Sequence, residues 1–168
     1  ASCLVVSEMC IRDRFTLTLP LRWLGDDAVK PLPAVKSAGR SDFSGHRVLI
    51  VEDNDLNMEI ALEFLQSLGV VCEGAENGRR AVEMFNASAP GHYEMILMDV
   101  RMPVMNGYEA TREIRRLARE DARQIPIVAM TADAFSSDIK MALNAGMNEH
   151  LSKPVSIERL QEVLGQWL

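Results

Sequence analysis

Residues 95–107 read Met95-Ile96-Leu97-Met98-Asp99-Val100-Arg101-Met102-Pro103-Val104-Met105-Asn106-Gly107. Four apolar residues precede a carboxylate, and a turn-forming segment follows it. A short apolar run bounded by turn signals reads as a buried strand of a parallel sheet. A carboxylate at the carboxyl end of such a strand stands where open α/β sheets bind ligands. Three other segments end the same way. Arg47-Val48-Leu49-Ile50-Val51 runs into Glu52-Asp53, Ile125-Pro126-Ile127-Val128-Ala129-Met130 into Thr131, and Asn148-Glu149-His150-Leu151-Ser152 into Lys153-Pro154. Three acids, a hydroxyl and a lysine are therefore expected at one edge of one sheet. Such a set can hold a divalent cation and accept a phosphoryl group.

Helical patterns alternate with these strands. Ile60, Ala61, Phe64, Leu65 and Leu68 mark one helix face, stopped by Gly69. Val70-Val71-Cys72 reads as a strand. Ala81, Val82 and Phe85 mark a second helix, ending near Pro90-Gly91. Asn106-Gly107 opens a third through Ala110, Ile114 and Leu117. Phe135, Ile139, Ala142 and Leu143 give a fourth, with Gly146 as its stop. Ser156 caps a last helix with the apolar face Ile157, Leu160, Val163, Leu164 and Trp167. Five strands and five helices thus alternate from about residue 46 onward, which implies a parallel sheet covered by helices on both faces.

The composition sets limits. The chain has 168 residues, 48% of them apolar, enough for one packed domain plus extra sequence. Its net charge of −6, with no Lys/Arg cluster among aromatics, argues against direct nucleic-acid binding. No apolar stretch approaches the ~20 residues that span a bilayer, and there is no signal-peptide pattern. Cys3, Cys10 and Cys72 lack metal-ligand spacing. Cys72 falls in an apolar strand and is expected to be an inert core thiol in a reducing cytoplasm. His46 and His92 are expected to be solvated loop residues, and the methionines to be core filler and surface contacts.

The residues before 46 differ from the rest. Residues 25–45 are rich in Pro, Ala, Ser, Gly and charge, and 22–45 reads as a linker. Phe15-Thr16-Leu17-Thr18-Leu19-Pro20-Leu21 is β-prone without a partner strand. Met9-Cys10-Ile11-Arg12-Asp13-Arg14 reads as the translation of a transposon end used in sequencing libraries. Residues 1–14 are therefore expected to be a foreign leader.

Val51-Glu52-Asp53-Asn54, residues 97–107, Met130-Thr131-Ala132 and Ser152-Lys153-Pro154 stand in this order at the expected strand ends. Together they resemble the receiver domain of two-component response regulators over about residues 46–168. Val-Glu-Asp-Asn-Asp-Leu-Asn at 51–57 and Ala-Gly-Met-Asn-Glu-His-Leu-Ser-Lys-Pro at 145–154 are most similar to receivers of hybrid sensor histidine kinases. The resemblance implies a doubly wound, flavodoxin-like (βα)5 sandwich with parallel strand order 2-1-3-4-5. It also implies that 15–21 is the last strand of a truncated kinase ATP-binding domain. The chain would then be the carboxyl-terminal piece of a hybrid kinase. It has no Gly-rich phosphate loop and no kinase histidine motif, so no ATP site is expected.

The same resemblance implies the chemistry. Asp99 would be the phosphoacceptor, a carboxylate nucleophile that forms an aspartyl phosphate. Glu52, Asp53, Asp99 and the backbone carbonyl of Arg101 would hold Mg²⁺. Lys153, carried on a cis Lys153-Pro154 bond, would pair with Asp99 and then with the phosphoryl oxygens. The Thr131 hydroxyl and the Ala132 backbone amide would donate to the phosphoryl group. Thr131 and His150 would form the switch, His150 standing where many receivers carry Tyr or Phe. Arg101 and Asp133, of opposite charge, are expected to pair across the mouth and tune hydrolysis.

The implied partners are a histidine kinase domain and a histidine phosphotransfer domain. They would dock on the first helix near Asn57, Met58 and Ala61 and on the loop after Thr131. With the last helix ending at Leu168, a relay is expected rather than a transcription factor. Such a chain would catalyse only its own phosphorylation and dephosphorylation. The alternatives are a non-catalytic interaction module and a Mg²⁺-dependent phosphohydrolase of the haloacid-dehalogenase type. The latter needs a second acid two residues after its nucleophile, where this chain has Arg101.

Overall fold

The structure, a computed structural model, describes residues 42–132 and 136–168. Five parallel strands form one sheet in the order β2-β1-β3-β4-β5. They are β1 (Arg47–Val51), β2 (Val71–Ala75), β3 (Met95–Asp99), β4 (Ile127–Thr131) and β5 (Glu149–Ser152). The helices are α1 (Asp55–Ser67), α2 (Gly78–Ala87), α3 (Gly107–Arg116), α4 (Asp121–Gln124), α5 (Ser136–Ala145) and α6 (Ile157–Trp167). This is the doubly wound, flavodoxin-like arrangement expected from the sequence.

The unbroken apolar runs follow from burial on two faces. Leu49 and Val51 of β1, Ile96 and Met98 of β3, and Ile127 and Ala129 of β4 point into one core. There they meet Ala81 and Phe85 of α2, Ala110 and Ile114 of α3, and Ala142 of α5. Their neighbours Val48, Ile50, Met95, Leu97, Val128 and Met130 point to the other side. That second core is closed by Ala61 and Leu65 of α1 and by Leu160, Val163 and Leu164 of α6. Alternate residues thus serve opposite cores, and no position in the central strands is left for a polar side chain until the strands end.

Side chains set where the helices begin. Asn54, Asn77 and Ser156 accept from the backbone amides of Asn57, Arg80 and Arg159, capping α1, α2 and α6. Asn106 and Glu109 form a reciprocal capping box at α3. Gly146, at φ 101°, ends α5 in the left-handed region as expected.

Several expectations need correction. There are six helices among the described residues: α4 interrupts the expected strict alternation. It is held by tertiary contacts, for the Asp121 carboxylate accepts from the amide of Gly91 at 2.9 Å and from Arg119 at 2.6 Å. Arg119 itself lies 4.4 Å over the Phe85 ring and donates to the carbonyls of Phe85, Ser88 and Ala89. β2 runs to Ala75, beyond the expected Cys72. Phe43 is buried in the second core, so the folded unit begins inside the stretch read as linker. Ile60 and Leu143, assigned to apolar faces, are exposed because each helix turns them away from the sheet. Cys72 is half-buried rather than in the core, and desolvation pushes its thiol up to about 11, which keeps it protonated near neutrality. His46 and His92 are partly buried and paired, with Glu94 at 2.7 Å and Glu73 at 3.0 Å. Phe135 and Asp133 lie outside the described residues, as do residues 1–41, which hold the expected leader, the kinase strand and most of the linker.

Candidate phosphoacceptor site

The carboxyl ends of β1, β3, β4 and β5 converge on one edge of the sheet. β1 delivers Glu52 and Asp53, β3 ends in Asp99, β4 ends in Thr131, and Lys153 follows β5. Glu52, Asp99 and Thr131 are buried, whereas Asp53 is exposed at the mouth. One carboxylate oxygen from each of Glu52, Asp53 and Asp99 lies within 4.8 Å of the others. Three hard oxygen donors at the ends of two rigid strands, β1 and β3, are the donor set that Mg²⁺ takes, with water completing the shell.

Lys153 is the counter-charge. Its Nζ donates to Asp99 Oδ2 at 2.6 Å and to Glu52 Oε2 at 2.5 Å. Burial alone pulls the ammonium down, but the hydrogen bonds and charges of Asp99 and Glu52 outweigh it, so the net shift is upward. The lysine is aimed by the backbone: its amide donates to the carbonyl of Thr131 at 2.8 Å, and the following bond to Pro154 is cis, as expected. The second oxygen of Asp99, Oδ1, accepts from the amide of Arg101 at 3.1 Å. The Asp99 carboxylate is thereby fixed in orientation by one charged and one neutral donor.

The loop after Asp99 is built around two close approaches. A Cβ on Gly107 would sit 2.2 Å from the carbonyl oxygen of Asp99, so only glycine fits there. The amide of Gly107 closes the loop by donating to the carbonyl of Val100 at 3.0 Å. Val104 takes a left-handed φ of 66°, while Met102 and Met105 on either side are buried and anchor the turn.

The remaining expected residues are placed as follows. Ala132 is exposed just beyond Thr131. His150 lies on β5 in register with Ala129, and its Nδ1 is 3.3 Å from Glu149 Oε1. The Arg101 guanidinium reaches Asp138 at the start of α5, 3.7 Å away. On α1, Leu56, Asn57 and Ile60 are exposed, Met58 is half-buried and Ala61 is buried. Asn57, Ile60 and Ala61 line a cleft of about 290 Å³ together with Glu52, Lys153 and Pro154. Sequence reading missed the hydrogen bond from Asn57 Nδ2 to Glu52 Oε1, at 2.9 Å. Its signal was the five-residue spacing across the Asn54 cap.

Residues 48–165 match the response regulator receiver domain family. The chain belongs to that family. It is 37% identical to the aerobic respiration control sensor protein ArcB of Escherichia coli K12, over 95% of this chain and 19% of ArcB. The chain spans between 7% and 19% of the length of such curated relatives. Among solved structures, the receiver domain of sensor histidine kinase PA1611 from Pseudomonas aeruginosa PAO1 carries a magnesium ion in its active-site cleft. It is 42% identical, with a TM-score of 0.66, over 74% of this chain and 98% of that one. The receiver domain of Saccharomyces cerevisiae Ssk1, solved with the histidine phosphotransfer protein Ypd1, is 33% identical. Its TM-score is 0.64, over 73% of this chain and 88% of that one. Among the described residues, no helix is long and apolar enough to cross a membrane.

Proposed function

We propose that this receiver is the phosphoacceptor of a phosphorelay. It takes a phosphoryl group from a phosphohistidine onto Asp99 and passes it to a histidine phosphotransfer domain or holds it as a switch. The observation that carries this reading is Lys153 bridging Asp99 and Glu52, two of the three clustered carboxylates. In the transfer, a carboxylate oxygen of Asp99 bonds to phosphorus. The P–N bond breaks, and its electron pair stays on the imidazole nitrogen. A transferring phosphoryl group needs positioning and charge neutralisation more than covalent help. Lys153 supplies positive charge from one side, and the Thr131 hydroxyl and Ala132 amide supply donors from the other. Glu52, Asp53, Asp99 and the Arg101 carbonyl would hold Mg²⁺, which supplies further charge neutralisation when bound.

Thr131 and His150 are the switch pair in this reading. Arg101 and Asp133 govern access of water to the phosphoryl group. Leu56, Asn57 and Ile60 form the exposed docking face of α1, and the Ypd1 complex of a related receiver supports a partner of that class. The match to ArcB covers more of this chain than the receiver alone, which supports a hybrid-kinase parent, and a receiver of such a kinase would work in the cytoplasm. The test is transfer. The chain, loaded from acetyl phosphate, is mixed with a purified histidine phosphotransfer domain. Movement of the phosphoryl group to that domain's histidine is expected. Retention on Asp99 with every such domain tried would refute the relay and leave the switch.

A further inference from the structure

Glu52 presents a problem that an aspartate would not. Its side chain has an additional rotatable bond, and only 3% of it is exposed. A buried carboxylate is costly unless its oxygens are satisfied, and a ligand free to swing is a poor ligand. Lys153 satisfies Oε2 at 2.5 Å. One contact fixes one oxygen and leaves the carboxylate plane free to turn. The second contact comes from Asn57, whose Nδ2 donates to Oε1 at 2.9 Å. A carboxylate only accepts, so the NH2 face of the amide must be the one turned toward it.

Asn57 is itself held in place. Its backbone amide donates to the Asn54 side chain at 3.1 Å, in the cap that starts α1. The cap fixes the first turn of the helix, and the turn carries the amide over Glu52. The chemistry of the amide suits the place. It donates without bringing a positive charge that would oppose a cation, and without the negative charge that would repel Glu52. The residue is exposed and lines the cleft beside Ile60, so it contributes little to the core.

We propose that Asn57 is a positioning residue of the metal site, orienting the Glu52 carboxylate for a divalent cation. The proposal rests on the reading of Glu52, Asp53 and Asp99 as that site. It makes the first turn of α1, which also carries Leu56 and Asn57 of the proposed docking face, part of the cation's support.

The test is Mg²⁺ binding by the full chain, followed through amide NMR shifts, which register weak as well as tight binding. Asn57→Ala and Asn57→Leu should each weaken binding by about 10- to 100-fold, the usual loss when a partner of a metal ligand is removed. Asn57→Gln, which keeps the donor, should recover part of it. In a Glu52→Gln background, Asn57→Ala should cost less than about twofold more, because the group it orients is no longer a carboxylate. Binding within about twofold of the parent in both the Ala and Leu variants would overturn the role of Asn57 and leave the phosphoacceptor reading intact. So would an undiminished loss in the Glu52→Gln background. A parent chain that binds no Mg²⁺ would overturn the metal site and this proposal together.

Discussion

Lys153→Met removes the ammonium and keeps the length of the side chain. In the parent, Nζ is 2.6 Å from Asp99 and 2.5 Å from Glu52, whose side chains are only 8% and 3% exposed. Without it, two carboxylates with oxygens within 4.8 Å face each other unneutralised. At an effective dielectric of 20 their repulsion is about 3 kcal/mol. Breaking a buried pair by removing one partner costs about 3–5 kcal/mol, which agrees. The variant should therefore lose about 3 kcal/mol in EDTA, a fall in Tm of roughly 10 °C for a domain of this size. A divalent cation bound by the same carboxylates supplies the missing charge, so saturating Mg²⁺ should stabilise the variant more than the parent. The assay is urea and thermal unfolding of both proteins, each in EDTA and in Mg²⁺. Equal stability in EDTA, or equal stabilisation by Mg²⁺, would refute the view that Lys153 is the counter-charge of a cation site.

Two glycines should respond in opposite directions to the same added methyl group. Gly107→Ala forces a Cβ onto the Asp99 carbonyl and should destabilise by about 1–3 kcal/mol in urea unfolding, while displacing the loop after Asp99. Gly165→Ala, on α6 with open space around it, should stabilise by about 0.5–1 kcal/mol. Arg119 holds the Asp121 carboxyl down at about 2, against 3.8 ordinarily. A depressed acid contributes its stability above its unfolded pKa and loses it as pH falls through the folded value. The full shift is worth about 2 kcal/mol, and solvent screening at this partly open site brings it to about 1 kcal/mol. The stability gap between the parent and Asp121→Asn should thus hold near neutrality and shrink between about pH 4 and pH 2. A gap that does not change with acid would remove the ion pair from the account of α4.

The central strands were legible because they are buried twice. Val48 to Val51, Met95 to Met98 and Ile127 to Met130 serve two cores in alternation, and only unbroken apolar runs can do so. Their ends were legible for the complementary reason: a carboxylate or hydroxyl after such a run can only stand at the rim. β2 was harder to bound. It is an edge strand, with Val71 exposed and Glu73 drawn to His92 and Tyr93. α4 has four residues and no side-chain cap. It exists because Gly91 and an Arg119 anchored on the carbonyls of Phe85, Ser88 and Ala89 grip Asp121, and those anchors lie 30 to 34 residues away, where no local pattern records them. His46 and His92 looked like loop residues because their glutamates lie 48 and 19 residues away. The Asn57–Glu52 hydrogen bond is local, yet it depends on the direction in which the Asn54 cap launches α1. Residue types alone do not specify that direction.

The account stands on Asp99 as a nucleophile in a charge-neutralised pocket. The most direct test is intact-protein mass after incubation with Mg²⁺ and acetyl phosphate, for the full chain and its Asp99→Asn variant. A gain of one phosphoryl group, about 80 Da, is expected in the parent and not in the variant, and EDTA should prevent it. A folded, Mg²⁺-binding parent that gains no mass and shows no shift with beryllofluoride would contradict it, as would an equal gain in both proteins.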